Sequence, residues 1–440
     1  MIEAITISTF VVVCVLATLR ASWALALLVV LFPLKQALQA SSGFFLTYYA
    51  LPNYIAGVVT LISVLRQIAP QHAPLQGYFA APFWCTIALF TWSVMSLLWS
   101  PSFGSGSEYI TSNVPYFLLY VVLAPLLMRG MNAYREFLLV LLVVSTLVAI
   151  VILVNPVFTS FSGRIGIQLA SNIRTNPLAI GELGGVLLIT AALLRDSNKP
   201  ILTTCIRITG FVAGVLLALQ SGSRGQVLFA VVLSLVFFPI SRRVRSVNSF
   251  IGTAIGVVAI GAIVLFLAQY ILEGYGLRRW DANAIDDGVG IRFENLVDLI
   301  RFWAISPFAW LIGLGFNAFT SLGATQAEMG YTHNIPVDVL TELGIPMFGV
   351  FVGISVGVVR SSRWLFARFG GDTDYRAAAA TAMALAAYQF LLINKQGMLW
   401  TSPAYFMWSL LLVKVQRFEA IDMTIEQSTS QDDLSDESIA

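Results

Sequence analysis

The stretch Phe137-Leu-Leu-Val-Leu-Leu-Val-Val-Ser-Thr-Leu-Val-Ala-Ile-Val-Ile-Leu-Val154 decides the fold class. It carries no charge, and its only hydroxyls, on Ser145 and Thr146, can bond back to their own backbone. Its length is close to the roughly 20 residues that cross a hydrocarbon core as a helix. Arg135-Glu136 bounds it on one side and Asn155-Pro156 on the other, so the run has two polar ends. Lipid offers backbone groups no partners, and a helix is the form that satisfies them internally.

Runs of this kind recur along almost the whole chain, about thirteen in all. They cover residues 5–19, 22–38, 45–65, 78–99, 109–127, 137–154, 178–194, 201–219, 227–240, 250–272, 335–358, 375–393 and 398–413, with Pro33 and Lys35 interrupting the second. The 440 residues are 58% hydrophobic and 11% charged, with a mean hydropathy of +0.83. Soluble domains carry about 25% charge, so that class is excluded. The expected fold is an all-α integral membrane protein, a polytopic bundle of about 12–13 transmembrane helices over residues 1–415. The opening Met-Ile-Glu has no basic segment, so the first run reads as a retained span rather than a cleaved signal. The net charge of +2 says nothing about partners, no nucleic-acid partner is expected of such a chain, and Cys14, Cys85 and Cys205 sit in apolar runs as small hydrophobes.

Arg20, Arg66, Arg129 to Arg135, Arg195 with Lys199, Ser241 to Arg245 and Arg360 to Arg368 all fall on one side when the spans alternate. The positive-inside rule makes that side cytoplasmic and places the amino terminus outside. Residues 416–440 are polar and acidic, which predicts a disordered cytoplasmic tail. One outer loop, residues 273–334, is too long for a simple turn, and function concentrates in such loops. Within it, Phe293, Leu296, Val297, Ile300 and Trp303 recur at helical spacing opposite Glu294, Asn295, Asp298 and Arg301, predicting an interfacial helix that Pro307 ends. Farther on, Gly349, Gly353 and Gly357 form a small-residue stripe of the helix-packing kind.

The chain has two histidines: His72 in an inner loop and His333 beside the long outer loop. Arg164, Arg174, Arg224, Arg278, Arg279 and Arg292 lie on the outer side, where the charge rule disfavours them. A guanidinium stays ionised and grips phosphate oxygens in pairs, which suits a lipid diphosphate at headgroup depth. Arg278, Arg279 and Arg301 have an equally good alternative in lipid headgroups or in Asp281, Asp286 and Asp287. Asp338 and Glu342 follow His333 at helical spacing, where Asp338 either orients the histidine or lines a groove, or else both serve capping and packing.

Three motifs carry a family resemblance. His333-Asn334 is followed after nine residues by Gly344, within Glu-Leu-Gly-Ile; Ser221-Gly-Ser-Arg224-Gly225 forms a turn between spans; and Gly290-Ile-Arg292 leads to Trp303, Pro307 and Gly313-Leu-Gly315. Together they resemble the O-antigen ligase and polymerase family, over Ser221 to Gly349. Arg164 and Arg174-Thr-Asn-Pro are similar to an arginine-bearing outer loop of such enzymes. Met347 stands where the ligase pattern has Gly, Thr or Val.

The resemblance implies a glycosyltransferase of the bacterial inner membrane, working on its periplasmic face. The donor would be an undecaprenyl-diphosphate-linked glycan, and the acceptor the lipid A core for a ligase or a growing glycan for a polymerase. His333 would be the base, with Arg224, Arg292, Arg174 and Arg279 on the diphosphate and Asn334, Asp338, Glu342 and Arg164 in support. The donor is already activated, so no metal or cofactor is called for. A transporter of lipid-linked sugars is the alternative from another class; it predicts ionisable residues at mid-membrane and an internal repeat. Lys35, Glu182 and Lys395 lie near span ends, and no repeat is evident.

Overall fold

A computed structural model describes residues 1–68, 75–155, 157–161, 164–166, 176–242, 282–322 and 333–437, with 247–248, 251–252, 255 and 262 between them. Residues 159–161, 164–166, 282–289, 291–292 and 425–437 are described by their backbone alone. The described residues are almost entirely helical, and among them ten helices are long and apolar enough to cross a membrane.

In chain order the bundle begins with α1 (Ile2–Leu19), α2 (Ala21–Ser41) and α3 (Leu51–Ile68). Next come α4 (Ala81–Met95), α5 (Phe103–Phe117) and α6 (Met131–Val154). A small hairpin of β1 (Thr159–Phe161) and β2 (Arg164–Gly166) precedes α7 (Pro177–Leu193), α8 (Pro200–Gln220) and α9 (Arg224–Arg242). Then follow α10 (Ala282–Ala304), α11 (Pro307–Ile312) and α12 (Ile335–Leu343). The chain ends with α13 (Ile345–Phe369), α14 (Thr373–Ile393) and α15 (Pro403–Glu437). Of the expected span at 250–272 only residues 251–252, 255 and 262 are described, and His72 lies outside the described residues.

The outside of the bundle is apolar in the way lipid requires. On α9, Leu228, Val232 and Val236 point outward at every fourth residue, and on α13 Val352, Val356 and Val359 do so at steps of four and three. Such stripes would be a liability in water, and in a bilayer they are the solvated surface. Inside, backbones meet where side chains are absent. A Cβ on Gly184 would come within 2.7 Å of the Ala218 nitrogen, and one on Gly214 within 2.9 Å of the Gly184 carbonyl. α7 and α8 therefore pack nearly backbone to backbone, as small residues allow. The Gly349, Gly353 and Gly357 stripe does not behave this way: only Gly357 meets a neighbour, Pro82, and the other two have no described atom within 4 Å.

Two expectations need correction. The run 335–358 is not one helix, because Gly344, at φ 90°, breaks it into α12 and α13. A Cβ there would sit 2.5 Å from the Leu311 carbonyl oxygen, so glycine is required by both the backbone angle and the space. Residues 416–437, expected as part of a disordered tail over 416–440, are helical, since α15 runs on to Glu437. Its first turns past Val415 are docked: Arg417 packs on Gly77, and Glu419 Oε1 accepts the Met131 N–H at 2.6 Å. An acidic composition predicts disorder only for a segment with nothing to dock against.

One end of the bundle is held by ion pairs. Arg135 donates to Asp196 at 2.6 Å and to Asp374 at 3.0 Å, and Asp374 also accepts from the Ser197 hydroxyl and backbone N–H. Arg66 donates to the Thr18 carbonyl and Arg129 to Gln67, so the basic connections between spans cluster at this end.

Candidate functional site

His333 and Arg224 both lie at the opposite end. α14 starts beside Arg135 with Asp374 and crosses to Ile393, and the connection after it, Asn394-Lys395-Gln396-Gly397, meets both candidate segments. Asn334 caps α12, its Oδ1 accepting the Val337 N–H at 3.1 Å, while Pro336 fills a first-turn position that needs no donor. From the same side chain, Nδ2 donates to the Asn394 carbonyl at 3.3 Å. Lys395 Nζ donates to Ser223 Oγ at 2.8 Å, and its stem lies over Gly225, where a Cβ would stand 2.6 Å from Cδ. The chain of contacts therefore runs from His333-Asn334 through Asn394-Lys395 to Ser223-Arg224. Three segments far apart in sequence form one polar cluster.

His333 is half-buried and holds a left-handed backbone, φ 65°. That geometry costs a non-glycine residue about 1–3 kcal/mol and persists only where its surroundings enforce it. The Ser221 to Gly225 turn is comparably constrained. Ser221 Oγ donates to the Ala218 carbonyl at 2.7 Å and accepts the Ser223 N–H at 3.2 Å, and Gly222 takes φ 63°. Gln226, fully buried, donates to the Leu178 carbonyl at 2.9 Å and to Gln396 at 3.3 Å, joining α9 to the start of α7.

Behind α12 the Gly313-Leu-Gly315 turn acts as a brace. Leu314 N–H donates to the Thr341 carbonyl and Gly315 N–H to the Glu342 carbonyl, each at 2.9 Å. Gly313 and Gly315 have φ 80° and 96°, and a Cβ on Gly313 would overlap the Glu342 carbonyl. The indoles of Trp92 and Trp99 donate to Leu343 and Gly313. Glu342 serves this brace: its carboxylate is buried and accepts N–H groups from Asn317 at 3.0 Å and Phe319 at 3.4 Å. Burial pushes its carboxyl up to about 7, and the backbone donors of Asn317, Phe319 and Ala318 pull it back. Asp338, one turn after Asn334, is buried as well.

The helix expected at Phe293 to Trp303 is present as part of α10, with Leu296, Val297, Ile300 and Trp303 of its apolar face half-buried. Asn295 and Leu299 are the buried residues, Leu299 packing on Phe319, Leu314 and Val337, while Phe293 is exposed. Of the other expected arginines, Arg292 lies on α10 and Arg164 on β2, both described by backbone only. Arg174, Arg278 and Arg279 lie outside the described residues.

Beneath the cluster a cavity of about 380 Å³ opens between α2, α5, α7, α14 and α15. Asn176 and Gln396 stand at its rim, and Tyr109, Asn113, Tyr116, Tyr120, Glu182 and Gln389 line it. Glu182 Oε1 accepts the Gln389 Nε2–H at 2.7 Å. The tyrosines and Asn113 follow the helical rhythm of α5, which widens into a π-type turn over Leu118–Leu123 just after Pro115. Such a turn shifts the following side chains around the axis and recurs at functional sites.

No family model matches the chain, and no curated protein matches it.

The cluster has the groups for transfer to a hydroxyl: an imidazole, a guanidinium and an ammonium, at one end and beside a cavity. Sequence reasoning passed over Lys395 and Glu182 as span-end residues and did not consider Gln389. Their signal was a charge or amide inside an apolar run, which is expensive in a membrane and marks function by default.

Proposed function

We propose that the protein is a glycosyltransferase of the bacterial inner membrane that moves a saccharide from an undecaprenyl-diphosphate carrier to an acceptor hydroxyl at the periplasmic face, as O-antigen ligases do. The acceptor oxygen attacks the anomeric carbon, the bond from that carbon to the diphosphate oxygen breaks, and the hydroxyl proton passes to His333. Arg224 and Lys395 carry the charge of the departing diphosphate. The observation that carries this reading is the contact chain from His333-Asn334 through Asn394-Lys395 to Ser223-Arg224. Exposed Ile305, Phe308 and Leu311, beside α10 and at the same end, support a lipid-seated edge for the site. The basic connections at the other end support this orientation, by the positive-inside rule.

Ligase and polymerase share this chemistry and differ in the acceptor, the lipid A core for one and a growing glycan for the other. The glycan profile of a deletion strain separates them: free lipid-linked polymer means ligase, and accumulated single repeat units mean polymerase. His333→Ala restored to that strain at normal protein level abolishes transfer; undiminished transfer would remove the mechanism. A second reading, a transporter of lipid-linked sugars, draws on one observation, the carboxylate of Glu182 inside the bundle. It predicts normal polymer made on the wrong side of the membrane in the deletion strain.

A further inference from the structure

The cavity under the cluster has a lining that the transfer chemistry leaves unused. Glu182 sits one and a half turns into α7, roughly 8 Å below its start at the helical rise per residue. A carboxylate there is costly unless it is paired. Gln389 occupies one of its oxygens. Its tyrosine neighbours do not serve as donors: Tyr120 gives its proton to the Leu28 carbonyl, and the buried Tyr388 hydroxyl finds no partner among the described residues. Since a carboxylate accepts up to about four hydrogen bonds, Glu182 has acceptor capacity turned to the cavity that the protein does not use.

We propose that this cavity is a binding site for a neutral pyranose, with the Glu182–Gln389 pair bonded to adjacent sugar hydroxyls and the α5 tyrosines packed against the ring.

The lining decides the ligand class. Asn113, Asn176, Gln389 and Gln396 each offer both donor and acceptor groups, which match hydroxyls that donate and accept. An ammonium only donates and would leave the amide donors unanswered. Among the described residues Glu182 is the lone carboxyl in the lining, with no lysine or arginine beside it, so an acidic sugar finds no counter-charge there. Tyr109 and Tyr116 supply flat apolar faces for the carbon side of a ring. The volume of about 380 Å³ falls in the small-molecule range of roughly 300–1,000 Å³. The rim connects the cavity to the reacting groups, because Gln396 adjoins Lys395 and bonds to Gln226. The proposal deepens the transferase reading and rests on it for the source of the sugar: one residue of the glycan would be read here while its neighbour reacts above.

The experiment uses full-length protein in lipid nanodiscs and saturation-transfer NMR with methyl glucopyranoside, methyl galactopyranoside, methyl glucuronopyranoside and choline as probes. At least one neutral glycoside is expected to bind, and Glu182→Leu and Gln389→Leu each to weaken it about tenfold or more, since each leaves a buried sugar hydroxyl without its partner. Should Glu182→Leu not accumulate, Glu182→Gln keeps the shape and is expected to weaken binding several-fold. The proposal is overturned if no neutral glycoside shows binding that depends on Glu182, if the glucuronide binds equally well, or if choline is the ligand that Glu182 holds. His333→Ala separates the two readings. It is expected to abolish transfer and leave glycoside binding unchanged, whereas active His333→Ala with Glu182-dependent binding removes the transferase and keeps the sugar site.

Discussion

The two ends of the bundle solve the same problem by different chemistry. At the basic end, polar groups are neutralised by opposite charge, as where Arg135 lies between Asp196 and Asp374 with little exposure to solvent. At the other end, the described contacts run through amides, hydroxyls, indoles and glycines: Asn334 to the Asn394 carbonyl, Lys395 to Ser223, Trp99 to Gly313. Matched charges fix a connection and leave nothing over for a ligand. Amides and hydroxyls hold the backbone in place while allowing cations at the surface to meet an anion from outside. Under the proposed function, the first end is a clamp and the second a workplace.

His333→Ala tests that division most sharply. A general base contributes about 10²–10⁴-fold, so glycan transfer falls by that order in a purified assay while thermal unfolding stays near the wild-type temperature. Parallel loss of stability and activity would make His333 one more brace. The opposite pattern is expected at the clamp. Asp374→Ala leaves Arg135 with half of its compensation and orphans the Ser197 donors, at a cost of about 3 kcal/mol in unfolding free energy, with transfer per folded molecule unchanged. Gly313→Ala belongs to the workplace but acts through the backbone. Its Cβ would collide with Glu342 at a positive φ, so we expect a loss of at least about 2 kcal/mol together with transfer, because α12 carries His333 on its leading edge.

The spans and the basic side of the clamp were readable from the sequence, but its acidic partners Asp196, Asp374 and Glu419 were not, and less still of the workplace. Apolar runs near 20 residues and the one-sided arginines give the spans, because hydrocarbon thickness and loop charge act locally along the chain. Every expected span except 250–272, of which only four residues are described, has helix at its place, 335–358 as two helices. The break at Gly344 was not readable, since α12 and α13 read as one apolar run and the cause is the approach of Leu311 from another segment. The same holds for Lys395, whose role depends on Ser223 reaching it across the bundle. Tyr109, Asn113, Tyr116 and Tyr120 were a signal passed over: their spacing of four, three and four puts them on one face of a helix otherwise apolar.

Glu342 offers a finer test, through pH. Its folded-state value, near 7, lies above that of an exposed glutamate, so the native protein binds the proton more tightly than the unfolded chain. The stability this brings is complete below about 4.3 and is lost as the pH rises towards 7. Glu342→Gln is neutral throughout and escapes the loss, apart from a constant offset for the altered acceptor. The stability of Glu342→Gln relative to wild type should therefore rise between about pH 4.3 and 7, by no more than about 1.4 kcal/mol per unit. A flat difference across that window would mean that the Gly315 to Phe319 brace holds a charged carboxylate without penalty, and the contrast between the two ends would narrow.

The smallest effect concerns where the clamp stops. Glu419 Oε1 meets the first N–H of α6, so its charge both caps that helix and sits at the positive end of its dipole. Glu419→Ala should cost about 1 kcal/mol and leave transfer untouched, since the contact lies across the bundle from His333. The stability change alone does not say whether α15 is held beyond Val415 by this contact or by its own helical propensity. Limited trypsin digestion does. If Glu419 docks the segment, cleavage after Arg417 is slow in the wild type and faster in Glu419→Ala, because opening then no longer breaks a charged hydrogen bond. Equal rates in both proteins would mean that the packing of Arg417 on Gly77 is enough to hold the helix, and the clamp would end one turn earlier than its carboxylate suggests.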